Sequence, residues 1–178
     1  MIKALAIVGI LFAVVLAGIL AFAVTRPDSF RIERSATIKA PPEKIFDQVN
    51  DLKSWTAWSP WEKIDPALKR TYSGSQGGKG AAYAWEGNND VGSGRMEITD
   101  AVPAAKITIK LDFLKPFEAH NTSEFAFTRQ GDSTTVTWAM FGPSPYVSKL
   151  MGIFFNMDRM VGGQFEQGLA NLKSITEK

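Results

Sequence analysis

The chain has 178 residues, 45% apolar and 21% charged, which is room for one domain with a sizeable core plus an appendage. Its 20 basic and 18 acidic residues are spread along the chain and leave a net charge of +2, so the electrostatic footprint of a nucleic-acid binder is absent. With no cysteine and with His120 as the single histidine, disulfides, thiolate chemistry and the usual zinc ligand sets are excluded, and neither metal nor other cofactor is expected.

Ala4 to Val24, ALAIVGILFAVVLAGILAFAV, is free of charge and of strong polar groups. As a helix it would be about 31 Å long, enough to cross a hydrocarbon core. It predicts an N-terminal transmembrane anchor over residues 1–25, holding the membrane through residues 4–24, and leaves residues 26–178 for the folded domain. The competing reading is a cleaved signal peptide, since Ala21-Phe22-Ala23 has the form of a cleavage site, but the apolar region of such peptides usually runs only about 7–15 residues. Gly9, Ala13, Ala17 and Ala21 recur every four residues, a smooth stripe on which a membrane-protein partner could pack closely. The plainer account is that small residues are common in such segments. Arg26, Arg31, Arg34 and Lys39 follow the span and only Lys3 precedes it, which by the positive-inside count keeps the domain cytoplasmic. A short basic head before a long apolar run has instead the layout of an export signal. A single-pass protein with an exported domain is the expectation, a cytoplasmic domain the alternative.

From Phe30 the pattern changes to alternation. Phe30, Ile32, Ala36 and Ile38 share one parity and Arg31, Glu33, Ser35, Thr37 and Lys39 the other, which predicts a half-buried strand. In APPEKIFDQVNDLKSW, prolines stand at the first turn and Ile45, Phe46 and Val49 follow at helical spacing. A short helix over about Pro42 to Asn50 follows, with Asp51 capping a further turn. WTAWSPWEKIDP then places Trp55, Trp58 and Trp61 at spacings of three, interrupted by Pro60. These rings either plug the open end of the core or form a lid that touches ligand or the bilayer interface.

Alternating runs separated by turn-rich stretches fill the middle: Arg70–Ser73, Tyr83 with Trp85, Met96 with Ile98, Ile107–Phe113, Phe117–Thr128, and Val136, Trp138 and Met140. Six or so strands joined by short connections predict an antiparallel sheet. The end of the chain carries Val147, Leu150, Phe154, Val161, Phe165, Leu169 and Leu172 at helical spacing. This predicts one long amphipathic helix with Ser144 as cap, Pro145 at its first position and a kink or close contact at Gly162-Gly163. The economical α+β arrangement curls the sheet around that helix.

RSATIKAPPEKIFDQVNDLKSWTAWSPWEKIDP near the start and GGQFEQGLANLK near the end, in this element order, resemble the SRPBCC superfamily, in particular its START-like branch of polyketide cyclase/dehydrase and lipid-transport proteins. The likeness covers about Phe30 to Lys173. It implies a helix-grip (START/Bet v 1-like) fold, seven antiparallel strands wrapped around the C-terminal helix, with an apolar cavity between them. It also implies a hydrophobic small molecule or lipid as ligand. Other members are enzymes, so a cyclase or dehydrase is the alternative, and an accessory subunit of a membrane complex is the third.

On the inward parity, Tyr83, Trp85, Met96, Ile98, Phe113, Phe125, Phe127, Trp138 and Met140, with Phe154, Met157 and Val161 from the helix, are candidates to line that cavity or to fill it as solid core. Trp55, Trp58 and Trp61 are candidates at its mouth. Arg34, Asn121 and Ser123 are polar on the same parity and need partners: an anionic ligand group for Arg34, or an acidic side chain or solvent. His120 and Glu124 share the outward face of one strand about 13 Å apart, too far to work as an acid/base pair. GSQGGKG lacks the Walker spacing and reads as a hairpin turn, and no catalytic set stands out by motif.

Overall fold

The computed structural model describes residues 2–178. Met1, the first residue of the expected anchor, lies outside the described residues, as do the side chains of residues 2–6, Lys3 among them. The chain forms two compact units, residues 1–30 with 143–157, and residues 31–142 with 158–178.

The larger unit holds a seven-stranded antiparallel sheet with the order β1-β7-β6-β5-β4-β3-β2. Its strands are β1 (Ser29–Ile38), β2 (Lys69–Gly74), β3 (Ala81–Glu86), β4 (Ser93–Val102), β5 (Lys106–Lys115), β6 (Ala119–Gln130) and β7 (Ser133–Pro143). Beyond the first crossover each strand pairs with its neighbour in sequence, as the short turn-rich connections require. With α1 given to the N-terminal helix, α2 (Pro42–Asn50) follows β1 and buries Pro42, Ile45, Phe46 and Val49, the apolar spacing read from the sequence. Pro42 fits the first turn because its missing N–H has no helical partner to lose. A short helix α3 (Trp55–Trp58) and a 3₁₀ turn (Pro60–Lys63) lead into β2.

The expected single C-terminal helix is two. α4 (Tyr146–Phe154) ends at Phe155, whose backbone is extended (φ −120°, ψ 127°), and α5 (Met157–Thr176) starts two residues later. Asn156 stands immediately before α5 with Asp158 in its first turn, the residue types that favour a helix start. The expected cap also shifts by one: Pro145, not Ser144, precedes the first helical residue of α4. α5 grips the sheet through Gly162, Phe165, Gly168, Leu169, Leu172 and Thr176, all buried. Gly162 is the expected close contact rather than a kink, for a Cβ there would collide with the Arg34 guanidinium. Gly168 likewise leaves room for Trp138, whose ring would stand 2.7 Å from an added Cβ.

In the smaller unit α1 (Ile2–Val24) is apolar from Ala4 onward and closes with 3₁₀-type bonds from Thr25 and Arg26 to the Phe22 and Ala23 carbonyls. α4 packs on its C-terminal half. Ala23 is buried and Ile19 half-buried, whereas Gly9, Ala13, Ala17 and Ala21 are exposed, so the contact with α4 uses a face other than the small-residue stripe.

Candidate functional site

The three tryptophans that break the pattern after α2 are explained by what a helix leaves undone. The last four carbonyls of a helix have no intrahelical partner. Here Asp47 O receives the Asp51 N–H, Gln48 O the Trp58 indole N–H at 3.1 Å, Val49 O the Trp55 indole N–H at 2.9 Å, and Asn50 O the Gly78 N–H at 3.1 Å. Trp55 and Trp58 therefore close α2 while their rings enter the core. They are plugs by position, both buried, with ring centroids 4.7 Å apart.

Trp138 on β7 is the hub of the interior. Its ring meets Phe125 at 4.7 Å and Phe165 of α5 at 4.2 Å, both stacked, and meets Trp55, Trp58 and Trp61 edge-on at 6.1, 5.6 and 5.6 Å. Each well-formed ring pair adds about 0.5–1.5 kcal/mol beyond burial. Ser123 serves this ring: its hydroxyl accepts the Trp138 indole N–H at 3.0 Å and donates to Ala139 O at 3.3 Å. Both of its hydrogen-bonding roles are thus taken within the fold.

Register sorts the inward side chains into rows across the sheet, and burial falls from row to row. Ile107, Phe125 and Trp138 form one row, and Ile98, Ile109, Ser123 and Met140 the next, all buried. Tyr83, Met96, Leu111 and Asn121 follow, and there Leu111 and Asn121 are only half-covered. Trp85, Gly94, Phe113 and Ala119 end the series, with Phe113 and Ala119 half-covered and Trp85 lying across Gly94, where an added Cβ would collide with its ring. Burial thus falls from the row of Trp138 toward the row of Phe113. Trp61 is also half-covered, against Trp138 and Phe165. The Asn121 amide lies against Gly142, where a Cβ would collide with it, and has no hydrogen-bond partner among the described residues.

A buried polar network that the sequence reading missed stands beside this end. The Glu62 carboxylate, almost wholly covered, receives Arg70 Nε at 2.6 Å and the Tyr83 hydroxyl at 2.8 Å, and Arg70 also donates to the Leu68 and Glu62 carbonyls. Burial, then the bond to Glu62, pushes the Tyr83 phenol far above its ordinary range, so it stays a proton donor. Residues eight and 21 positions from Glu62 meet here through tertiary packing, which no local period announces. A small open pocket of about 120 Å³ at the β2 edge is lined by Asp51–Lys53, Tyr72–Gln76, Ala81 and Ala82, and none of the predicted site residues reaches it.

Arg34 does not face an open pocket. Its five N–H donors are taken by Glu166 at 2.6 Å, by the Asp158 carboxylate at 2.9 and 3.1 Å, and by the Glu33 and Asp158 carbonyls. The guanidinium is held above its ordinary range by Asp158 and Glu166, and the Asp158 carboxyl below its own by Arg34. An anionic ligand would have to displace an ion pair, so the expected role as an anion contact gives way to a clamp on the start of α5. Phe154 and Met157, expected among the lining residues, are exposed and belong to the smaller unit, because α4 packs on α1. His120 pairs across the strands with Asp112 at 2.7 Å rather than with Glu124, which binds Lys106. It is exposed on the outer face, and the Asp112 carboxylate raises its pKa from the ordinary 6.5.

The model of the family described as polyketide cyclase / dehydrase and lipid transport matches residues 29–177. No curated protein matches significantly. Solved structures share the fold at low identity. CV1439 from Chromobacterium violaceum is 13% identical, with a TM-score of 0.58 over 85% of this chain and 99% of its own. CalU16 from Micromonospora echinospora is 18% identical, with a TM-score of 0.54 over 83% and 73%. Aha1 from Colwellia psychrerythraea, solved as a dimer, is 16% identical, with a TM-score of 0.55 over 83% and 96%. With its helix-grip sheet, its gripping helix and a family match across nearly all of the chain beyond α1, the protein belongs to the polyketide cyclase/dehydrase and lipid-transport family of the SRPBCC superfamily.

Proposed function

We propose that the protein binds a hydrophobic small molecule or lipid at the open end of its interior, without covalent chemistry of its own, while α1 tethers it to a membrane. The carrying observation is the end row itself. Phe113 and Leu111 present half-covered apolar surface beside Trp85, with one unpartnered amide, Asn121, to fix orientation. Apolar walls with few convergent polar groups are the make-up of a small-molecule site. The titratable groups beside it are bonded to one another: Glu62 already accepts from Arg70 and Tyr83, which favours binding over acid/base work. α1 is long and apolar enough to cross a bilayer, and a tether would keep the site where such ligands dissolve.

Native mass spectrometry of the full-length protein tests the binding. A bound hydrophobic species of defined mass is expected, and Leu111→Trp, which fills the open end, is expected to lower its occupancy about tenfold, or about 1.4 kcal/mol. A protein that stays empty when offered hydrophobic extracts, or one that binds equally well with the end filled, would sink the reading.

A further inference from the structure

We infer that α4 is an interfacial membrane helix, lying with Val147, Met151 and Phe154 in the headgroup and acyl boundary of the bilayer that α1 crosses. The inference rests on the tether reading of α1 and adds a second membrane contact from a segment more than a hundred residues away in sequence.

Three observations carry it. First, α4 buries none of its own residues, and its apolar face is bare: Val147 is 62% exposed, Met151 38% and Phe154 65%, with Phe155 and Met157 exposed just beyond. Positions i, i+4 and i+7 share one helix face, so these side chains form a continuous patch of the kind that marks an interaction site. Second, the depth is fixed. The Tyr146 hydroxyl donates to Leu20 O at 3.0 Å, the Ser144 N–H to Asp28 O at 2.7 Å, and Lys149 pairs with Asp28. Leu20 lies four residues, about 6 Å, before the end of α1. Interfacial helices sit about 5–10 Å into the boundary, so the start of α4 is docked at the matching level. Third, the polar side agrees. Lys149, the one charge of α4, is turned from the patch toward Asp28, and Arg26 sits 5.8 Å over the Phe22 ring, a cation above an apolar anchor at the end of the span. With a single cation α4 would bind a bilayer poorly by itself; attached to α1 it only has to lie down.

The chain has no cysteine, so single cysteines can be introduced in the full-length protein and spin-labelled. In phosphatidylcholine liposomes, labels at Val147→Cys, Met151→Cys and Phe154→Cys are expected to meet dissolved oxygen and to be roughly tenfold less accessible to a water-soluble nickel chelate than Asp132→Cys in the exposed turn between β6 and β7, as a site 5–10 Å deep requires. Val14→Cys reports the middle of α1. If it is membrane-buried while 147, 151 and 154 are as open to the chelate as 132, the α4 inference is overturned and the tether stands. If Val14→Cys is itself open to the chelate, the tether fails and the inference with it. Shielding of the three labels from both oxygen and chelate would overturn the inference in favour of a protein partner on this face.

Discussion

α4 and α5 carry apolar side chains at the same spacing and meet opposite surroundings. α5 sets Phe165, Leu169 and Leu172 against the sheet, where they are almost wholly buried, and makes room for its neighbours with Gly162 and Gly168. α4 has no glycine contact of that kind and leaves Val147 and Phe154 exposed. Hydrophobic period therefore states that a helix needs an apolar partner without saying which one, and the glycines that admit bulky neighbours mark the helix that packs on the sheet.

The contrast breaks most sharply in the core. Trp138→Ala removes the hub of the ring cluster and is expected to cost about 3–5 kcal/mol, and Leu169→Ala on α5 about 2–5 kcal/mol, by denaturant unfolding of the full-length protein in mild detergent. A loss below 1 kcal/mol for both would mean that α5 does not hold the sheet as described. Adjacent glycines sharpen the point. Gly163 has open space around it, so Gly163→Ala is expected to stabilise by about 1 kcal/mol through helix propensity. Gly162→Ala is expected to gain less, because its methyl pushes the Arg34 guanidinium off Asp158 and Glu166, and the gap between the two should close in an Arg34→Gln background.

Both helices are also pinned by an acid-sensitive pair, Asp158 with Arg34 for α5 and Asp28 with Lys149 for α4. Both carboxyls are held below the ordinary 3.8 by these bonds. Their stabilisation is complete above that value and is lost as pH falls through the lowered pKa. The thermal midpoint should drop across that range, and by less in Asp158→Asn, which has already lost its share. The smallest effect is expected on α4 itself: Val147→Ser and Phe154→Ser should change unfolding stability in detergent by no more than about 0.5 kcal/mol, the range of exposed sites. A loss like that of Leu169→Ala would show that α4 is core after all.

The strands and α2 were legible because alternation and helical spacing report directly which side chains face inward, and the antiparallel order followed from short connections. The break at Phe155 was less visible, since the apolar period runs through it; Asn156 followed by Asp158 was the signal to weigh. Strand alternation alone reads Trp138 as an inward residue, yet its position as hub depends on register between strands, which sequence spacing leaves open. Glu62, Arg70 and Tyr83 come together only when the connection after α3 folds back on β2 and β3. Arg34 was legible as a residue needing a partner, but its partners lie 124 and 132 positions away.

The two indoles that complete α2 also have an optical side. Their ring centroids are 4.7 Å apart, close enough for the excited states of Trp55 and Trp58 to couple, so the pair should give a signed circular-dichroism couplet that an isolated indole lacks. The same N–H groups hold the Gln48 and Val49 carbonyls, so this pair's share of the couplet falls when the end of that helix opens, while the Trp61–Trp138 contact keeps its own. Fixed aromatic packing is what near-ultraviolet dichroism reads, and here it becomes a label-free gauge of one helix terminus.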